Sequence, residues 1–409
     1  MSIHIISESK RCLQCKNARC TSHCPVETPV AEFINLYLEG KIKEAGELLF
    51  KNNPLSIVTS LVCPHSELCE GHCIRGIKST PIEIGRIEHY VSDYYLNVMD
   101  LKPEIKLEHR IGIVGSGPAG ITIAFLMALK GYKVTIFEAH DKIGGVMRYG
   151  IPEFRLPKRI LDRLRDKLLE LGVKIRPNTL IGKVLTLDDL FRDGYKSVFI
   201  GTGVWKPYKL NVKGETLGNV NFAIDYLKNP QAYDLGCHIV IIGAGNVAMD
   251  VARTALRNGV KDATIMYRKT LDEMSATTEE IEAAKMDGVR FEFLKTPIEF
   301  TDNGIIYKKL EKKDNKFKII ENSEEFFPTD SIIISISQGP QSNIISSTKG
   351  IDVDMRGLVK TTITGSTTRE GVFASGDVVT GARTVVEAVK YSREVVDAMD
   401  KYIKEKYKE

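Results

Sequence analysis

The chain has 409 residues, 43% of them hydrophobic and 27% charged, with a formal net charge of +4; at roughly 150 residues per domain, two or three domains with real cores are expected. This is the composition of a soluble globular protein and excludes a disordered or collagen-like chain. The near balance of charge offers no basic, aromatic-interleaved face for nucleic acid, and Met1–Lys10 has no basic start followed by an apolar core, so no signal peptide is expected and the cytoplasm is the default location.

Along the chain, residues 1–108 carry seven of the eight cysteines and show helical apolar spacing in Val30–Leu38, Lys41–Phe50 and Ile82–Leu96. A small α-helical domain is expected there. The run Arg110–Val114 then reads as a strand, followed by a glycine turn, a helix through Leu129 and a strand Lys133–Phe137. Ile111–Leu129 approaches the length of a membrane span, but its four glycines and Pro118 fit a βαβ unit better, and no membrane span is expected. A second such unit comprises His238–Ile242, Asn246–Arg257 and Ala263–Tyr267. Strand-like Arg290–Leu294 and Ser331–Ser335 follow, then a helix from about Arg383 whose Lys401–Lys408 end reads as a solvated tail. The fold class is therefore α/β: two doubly wound, Rossmann-like nucleotide-binding modules preceded by the helical domain.

The first cysteines read C-x2-C-x4-C-x3-C-P, at Cys12, Cys15, Cys20 and Cys24; Cys63, Cys69 and Cys73 form a second group. With no export signal, such spacing points to metal ligation rather than disulfides. Soft thiolates ending in Cys-Pro suit iron–sulfur cubanes whose ligands come from several loops. Seven thiolates are one short of two cubanes, so either one cluster has a non-cysteine ligand or only one cluster is present. A structural zinc site is the alternative, kept open by His23, His65 and His72 among the cysteines. Cys237, alone at a strand start, reads as a buried small hydrophobe.

The first glycine motif, Gly115, Gly117 and Gly120 at G-x-G-x-x-G spacing, lies between a strand and a helix. It supplies a tight turn, close approach of a pyrophosphate to backbone N–H groups, and close helix packing. Glu138, at the end of the next strand, is placed to accept from an adenosine ribose. The second motif is Gly243, Gly245 and Ala248. Here the acid is replaced by Tyr267-Arg268-Lys269, which favours NADPH over NADH because two cations can pair with a 2′-phosphate; the alternative is a pair of exposed basic residues at a strand end. Near the C-terminus, Gly376-Asp377 read alone is an ordinary turn; beside a ligand it would be a sharp turn with the helix from Thr384 aiming its positive dipole end at negative charge such as a reduced flavin ring.

Together these motifs resemble the small subunit of bacterial glutamate synthase and the matching N-terminal half of dihydropyrimidine dehydrogenase. The resemblance spans nearly the whole chain: Arg11-Cys12, Cys24-Pro25, Cys63-Pro64, Cys69 to Cys73, Pro81 to Glu88, Gly144 to Pro157, Gly201 to Gly203, the Gly243 motif, Tyr267-Arg268 and Ala374 to Asp377. It implies two 4Fe–4S clusters, one on Cys12, Cys15, Cys20 and Cys73, the other on Cys24, Cys63, Cys69 and Glu88. It implies FAD at Gly115, Gly117, Pro118, Ala119, Gly120, Glu138, Gly145, Arg148, Thr202, Gly203, Gly376, Asp377, Thr384 and Val385. NADPH is implied at Gly243, Gly245, Asn246, Val247, Ala248, Arg268 and Lys269. The implied domains are the 4Fe–4S domain at 1–108, an FAD domain at 109–235 and 329–409, and a nucleotide domain at 236–328 interrupting it. The family often has paired arginines at Arg268-Lys269 and Met-Pro-Ala at Met274-Ser275-Ala276; lysine does not reproduce an arginine fork.

The expected activity is hydride transfer from NADPH to FAD, followed by single electrons through the clusters, which accept no hydride. No hydrolytic constellation competes with this reading. The residues do not fix the acceptor: the resemblance to glutamate synthase implies a large catalytic subunit that makes glutamate from glutamine and 2-oxoglutarate, and the rivals are a pyrimidine-reducing partner or ferredoxin. A non-catalytic redox-sensing or scaffold module is the reading from a different class.

Overall fold

The computed structural model describes residues 4–103, 105–314 and 316–407; the start of the Met1–Lys10 stretch and Lys408 lie outside them. The chain forms two compact units, the first containing the residues up to Met147, Glu153–Val204 and those from Pro340 on, the second containing Arg148–Pro152 and Trp205–Gly339.

The first unit opens with helices α1 (Ile5–Ser9), α2 (Val30–Leu38), α3 (Ile42–Asn52), α4 (Ser56–Val62) and α5 (Ile84–Val98). Residues three and four apart share a helix face, so Val30, Phe33 and Ile34 of α2, Ala45 and Leu49 of α3, and Ile84, Ile87 and Val91 of α5 meet in one core. Next come β1 (Arg110–Val114), α6 (Pro118–Leu129), β2 (Lys133–Phe137), α7 (Lys158–Glu170), β3 (Lys174–Arg176) and β4 (Tyr195–Ile200).

The second unit contains β5 (Val220–Phe222), β6 (His238–Ile242), α8 (Asn246–Arg257), β7 (Asp262–Tyr267), α9 (Thr278–Met286) and β8 (Arg290–Phe293), followed by β9 (Lys295–Thr301), β10 (Gly304–Lys313), β11 (Lys316–Ile319), β12 (Glu325–Pro328) and β13 (Ser331–Ile334). The chain then returns to the first unit for β14 (Val372–Ala374) and α10 (Val385–Lys406).

In the first unit the strand order is β14-β4-β1-β2-β3, every neighbour parallel. The order reverses beside β1, and the crevice outside the carboxyl ends of β1 and β4 is where such a sheet receives a ligand. Helix α6 is apolar on all sides because it is buried on all sides, with Ile121, Ile123, Ala124, Phe125 and Met127 each 0% exposed; that explains the span-like run. No helix among the described residues is long and apolar enough to cross a membrane.

In the second unit β5-β13-β6-β7-β8 form another parallel sheet. One face of this sheet carries an antiparallel layer, β9 to β12, that the sequence reading does not anticipate. Phe300, Ile305 and Tyr307 from that layer pack on Val240, Ile242, Ile332 and Ile334. The expected domain limits at 236 and 328 move outward. Val220–Phe222 and Ser331–Ile334 hydrogen-bond into the second sheet, and the outgoing and returning segments pair at Lys206–Gly339 and Pro207–Gln338. Cys237 is exposed rather than buried; it precedes β6, the central strand of its sheet, and its N–H donates to Asp330 Oδ2 at 2.7 Å.

Candidate functional site

Cys12, Cys15, Cys20 and Cys73 line one pocket with Val30, Ile34, Ile82 and Ile84. They reach it from separate pieces of chain: the loop after α1, reversed at Gln14 (φ +50), a single helical turn Arg19–Ser22, and the head of a 3-10 turn Ile74–Ile77. Burial pushes the Cys12 thiol up, with Cys15 and Cys73 adding to it, and pushes Cys20 up to about 11, with Cys73 and Cys12 adding. Metal binding here would displace protons. Arg75 lines the same pocket, and its Nε–H is buried without a hydrogen-bond partner. An orphan donor beside four thiols fits an anionic, sulfur-rich occupant, since such a donor is costly to leave unpaired.

A second set joins Cys24, Cys63, Cys69 and Glu88. Burial raises Cys63, then the charges of Glu88 and Cys24; Cys69 is raised by burial, then by Glu88, Glu70, Cys24 and Cys63. Glu88, on α5, is 7% exposed, and burial with Glu70 nearby pushes its carboxyl up to about 8. No hydrogen bond or ion pair reaches that carboxyl among the described residues. A buried carboxylate in this condition is normally neutral or bound to a metal. His23 and His72 stack on each other at 3.6 Å, their Nδ1–H groups donating to Arg19 O and Leu68 O, and His65 lies against Gly85. Among the described residues no three His, Cys, Asp or Glu side chains are spaced to hold one metal ion; thiols lining a pocket suit the donor set of a polynuclear cluster.

At the first glycine turn, Gly115 (φ +96) is pressed on the segment after β4, where an added Cβ would lie 2.6 Å from Gly201 O. That contact puts Thr202 and Gly203 beside the turn. Gly120 sits against Gly115 O, where its Cβ would come to 2.0 Å, whereas a Cβ on Gly117 would meet nothing within 4 Å. Gly117 caps α6, with Pro118 and Ala119 in the first helical turn. The resulting gap at a helix N-terminus has the geometry that suits a phosphate. Gly376 (φ +73) returns to this place: its Cβ would lie 3.1 Å from Ala119 Cβ and 3.8 Å from Ala388 Cβ. Asp377 follows, pushed by burial up to about 7, while Arg383 N–H donates to it at 3.2 Å. Thr384 caps α10, with Val385 as its first residue, and forms a reciprocal capping box with Glu387.

Glu138 is 4% exposed. Its Oε1 accepts from His140 N at 2.8 Å and His140 Nδ1 at 2.9 Å, and its Oε2 from Ser116 N at 2.9 Å and from Ser116 Oγ. Burial raises this carboxyl, but the hydrogen bonds from His140 and Ser116 outweigh it and hold the group below its ordinary value. Ser116 and His140 were not singled out from the sequence; a serine inside the glycine motif and a histidine two residues past the acid were the available signals. Gly145 (φ +51) is packed on Gly117, its Cβ position 2.7 Å from Gly117 Cα, and Arg148 lies in the short helix Val146–Tyr149.

At the second turn, Gly243 is pressed on Ser335 O, 2.1 Å from its Cβ position. Gly245 caps α8, which opens with Asn246, Val247 and Ala248. The segment Met274-Ser275-Ala276 folds onto this turn. Ala276 N–H donates to Ala244 O at 3.1 Å, Thr277 N–H to Asn246 Oδ1 at 2.9 Å, and Ser275 Oγ lies 3.3 Å from the Gly245 Cβ position. The sequence reading noted Ser275 only as a departure from a pattern; here its hydroxyl stands at the cradle. Arg268 and Lys269 follow β7, and neither pairs with a carboxylate among the described residues.

Two parallel sheets with glycine turns at their switch points, preceded in the chain by a helical domain with two thiol sets, define a dinucleotide-dependent iron–sulfur oxidoreductase. Residues 2–99 match the family described as dihydropyrimidine dehydrogenase domain II, 4Fe-4S cluster, and residues 109–392 match pyridine nucleotide-disulphide oxidoreductase. The glutamate synthase [NADPH] small chain of Halomonas elongata is 32% identical over 97% of this chain and 90% of its own length. The NAD-dependent dihydropyrimidine dehydrogenase subunit PreT of Escherichia coli is 32% identical over 98% of this chain and 95% of its own. FprA from Mycobacterium tuberculosis shares the fold, with a TM-score of 0.62 and 18% identity over 73% of this chain and 85% of that one.

The chain belongs to the pyridine nucleotide-disulphide oxidoreductase family, in the group that carries the 4Fe–4S domain and includes the glutamate synthase small chains and the dihydropyrimidine dehydrogenase subunits. It is an NAD(P)H-dependent electron-input oxidoreductase with FAD and 4Fe–4S centres. Both relatives are named as the small chain or subunit of an enzyme, which points to a larger partner.

Proposed function

We propose that the chain takes a hydride from NADPH onto FAD and delivers single electrons, through two 4Fe–4S clusters, to a large catalytic subunit of the glutamate synthase kind in the cytoplasm. The observation that carries this reading is the sorting of seven cysteines and the unpaired Glu88 into two donor sets within the unit that holds the first glycine turn. Bound flavin would supply the exchange of a two-electron donor for one-electron acceptors. The protein's part is placement. The Gly115–Gly120 turn and the start of α6 offer N–H groups to a pyrophosphate, and Glu138 holds that turn in shape through Ser116. Gly376-Asp377 brings the chain back beside it. The Gly243–Ala248 turn with Ser275 would receive the second nucleotide, and the uncommitted Arg268 and Lys269 would pair with a 2′-phosphate. Cys12, Cys15, Cys20 and Cys73 would hold one cluster; Cys24, Cys63, Cys69 and Glu88 the other.

A second reading, an NAD-dependent dihydropyrimidine dehydrogenase subunit, is favoured by PreT's equal 32% identity and greater coverage of its own length. The test is an anaerobic visible spectrum with iron and acid-labile sulfide analysis, before and after NADPH and then NADH. About eight irons per chain and flavin bands bleached by NADPH are expected. Bleaching by NADH alone would transfer the assignment to the second reading, and zinc in place of iron would end both.

A further inference from the structure

We infer that the mouth of the pocket lined by Cys12, Cys15, Cys20 and Cys73 is a docking face for an acidic electron-acceptor protein. This rests on the proposed reading that these thiols hold a cluster.

The two thiol sets have different surroundings. Cys24 belongs to a loop tied to the sheet domain of its own unit: Arg393 of α10 donates at 3.2 Å to both Val26 O and Asn52 Oδ1, and Phe50 stands edge-on to Phe125 of α6 at 5.4 Å. The Cys12 set is open to solvent instead. Leu13 and Ile74 line its pocket while remaining 55% and 37% exposed, and Ile77, at the end of the turn that Ile74 begins, is 68% exposed. Single exposed aliphatic residues are ordinary, but Leu13 and Ile74 share one pocket and Ile77 lies on the turn that Ile74 begins.

Arg19 lines the same pocket, Lys10 and Lys16 lie within two residues of Cys12 and Cys15, and Lys78 follows Ile77; all four are exposed and, among the described residues, none is in an ion pair. Some exposed cations elsewhere in the helical domain find carboxylates, as in Lys41–Glu39, Lys51–Glu47 and Arg86–Glu83, while Lys43 and Lys106 are exposed and, among the described residues, in no ion pair. Segments 8–20 and 73–80 contain six cations and one carboxylate, and that carboxylate, Glu8, is already taken by Arg11 at 2.6 Å. Four thiolates would offset part of this charge inside the pocket, but the rim ammonium groups remain in water. An apolar centre within a charged rim is the anatomy of a transient protein interface. Its sign selects an acidic face and speeds the encounter with it. The electrons balance: one NADPH leaves as NADP+ with release of one proton, and two acceptor molecules each gain one electron.

The test uses holoenzyme and NADPH, with a strongly acidic 2Fe–2S ferredoxin as the probe, cytochrome c as a basic control acceptor and benzyl viologen as a small one. Ferredoxin reduction by the wild-type protein should fall steeply as ionic strength rises. The double variant Lys16→Glu, Lys78→Glu should lower kcat/KM for ferredoxin about tenfold at low salt, improve cytochrome c, and leave flavin bleaching and viologen reduction unchanged. Ferredoxin reduction that is absent, flat with salt or indifferent to the double variant overturns the inference. Should Lys16→Glu strip iron from the adjoining Cys15, the wild-type salt dependence decides alone. Lack of iron or of flavin bleaching in the wild-type protein would instead refute the underlying reading.

Discussion

Replacing Gly117 by alanine separates what the fold needs from what the ligand needs. Gly117 has φ −71 and ψ −171, an extended conformation open to any residue, and an added Cβ meets nothing within 4 Å. Alanine gains about 0.4–1 kcal/mol by restricting the unfolded chain and gives up a few tenths to about 1 kcal/mol as a poorer helix cap. The folded protein should therefore stay within about 1 kcal/mol of wild type. The methyl group would occupy the gap above the start of α6, where a pyrophosphate is proposed to approach. Losing one charge-assisted hydrogen bond there costs about 1.5–3 kcal/mol, which weakens FAD roughly 10- to 100-fold.

The assay is titration of flavin-stripped protein with FAD, read by quenching of flavin fluorescence, with iron content as a check that the helical domain is intact. Gly120→Ala is the contrast. Its Cβ would be forced to 2.0 Å from Gly115 O, so that variant should lose stability before it loses flavin selectively. Wild-type FAD affinity in Gly117→Ala would refute the argument, because the gap would then not be where phosphate lies.

Other outcomes follow from the same geometry. Glu88→Ala should lower iron from about eight to about four per chain with flavin content unchanged; a full complement of iron would remove Glu88 from the ligand set. Arg268→Ala with Lys269→Ala should raise KM for NADPH roughly 10- to 100-fold through loss of charged hydrogen bonds, with NADH turnover unaffected, and equal losses for both nucleotides would contradict a 2′-phosphate contact. Asp377 carries a carboxyl raised by burial from 3.8 to about 7. Between those values the folded state keeps a proton that the unfolded state releases, so flavin-free protein should lose stability as pH rises from about 4 to 7. Asp377→Asn should flatten that slope in chemical denaturation, and an unchanged slope would assign it to other groups.

The parts of this fold that were legible in the sequence are those where local pattern and tertiary role agree. Arg110–Val114 is a buried strand that ends in a glycine forced to φ +96, so its apolar run and its turn announce the same element. Ile84–Val98 declares itself by apolar residues three and four apart. The antiparallel layer over Lys295–Pro328 was hidden because its strands are only half-buried: β10 mixes Ile305 and Tyr307 with Lys308, Lys309, Lys312 and Lys313, which reads as a polar segment. The domain limits were displaced for a related reason. Val220–Phe222 has only three residues, too few for a period, and its place is set by pairing with Ser331–Ile334 far along the chain. Among candidate site residues, the cysteines and glycines carry their chemistry in their spacing. Ser116 and Ser275 act through neighbours that are adjacent only after folding, whereas His140 and Arg75 lie two residues from Glu138 and Cys73 and carry no spacing pattern of their own.

Electron delivery from a flavin to a cluster requires a fixed separation, and the fold contains a specific device for it. Helix α10 begins at the Thr384 cap, beside the Gly376 turn that touches both Ala119 and Ala388. Nine residues later, about 14 Å along a helix, Arg393 grips Val26 O and Asn52 Oδ1. Val26 is two residues from Cys24, so one rigid helix spans the proposed flavin cradle and the loop of a proposed cluster ligand. Arg163 of α7 adds a second tie to α5, donating to Asp93 Oδ1 at 2.6 Å, Asp93 O at 3.1 Å and Asn97 Oδ1 at 2.9 Å. Neither tie is large beside a total stability of about 5–15 kcal/mol, at about 1.5–3 kcal/mol for a charged hydrogen bond. Their value is geometric. With Lys167 donating to Met99 O at 3.3 Å and Phe50 edge-on to Phe125, the helical domain is held at several separated points, which together prevent the rotation that one would allow.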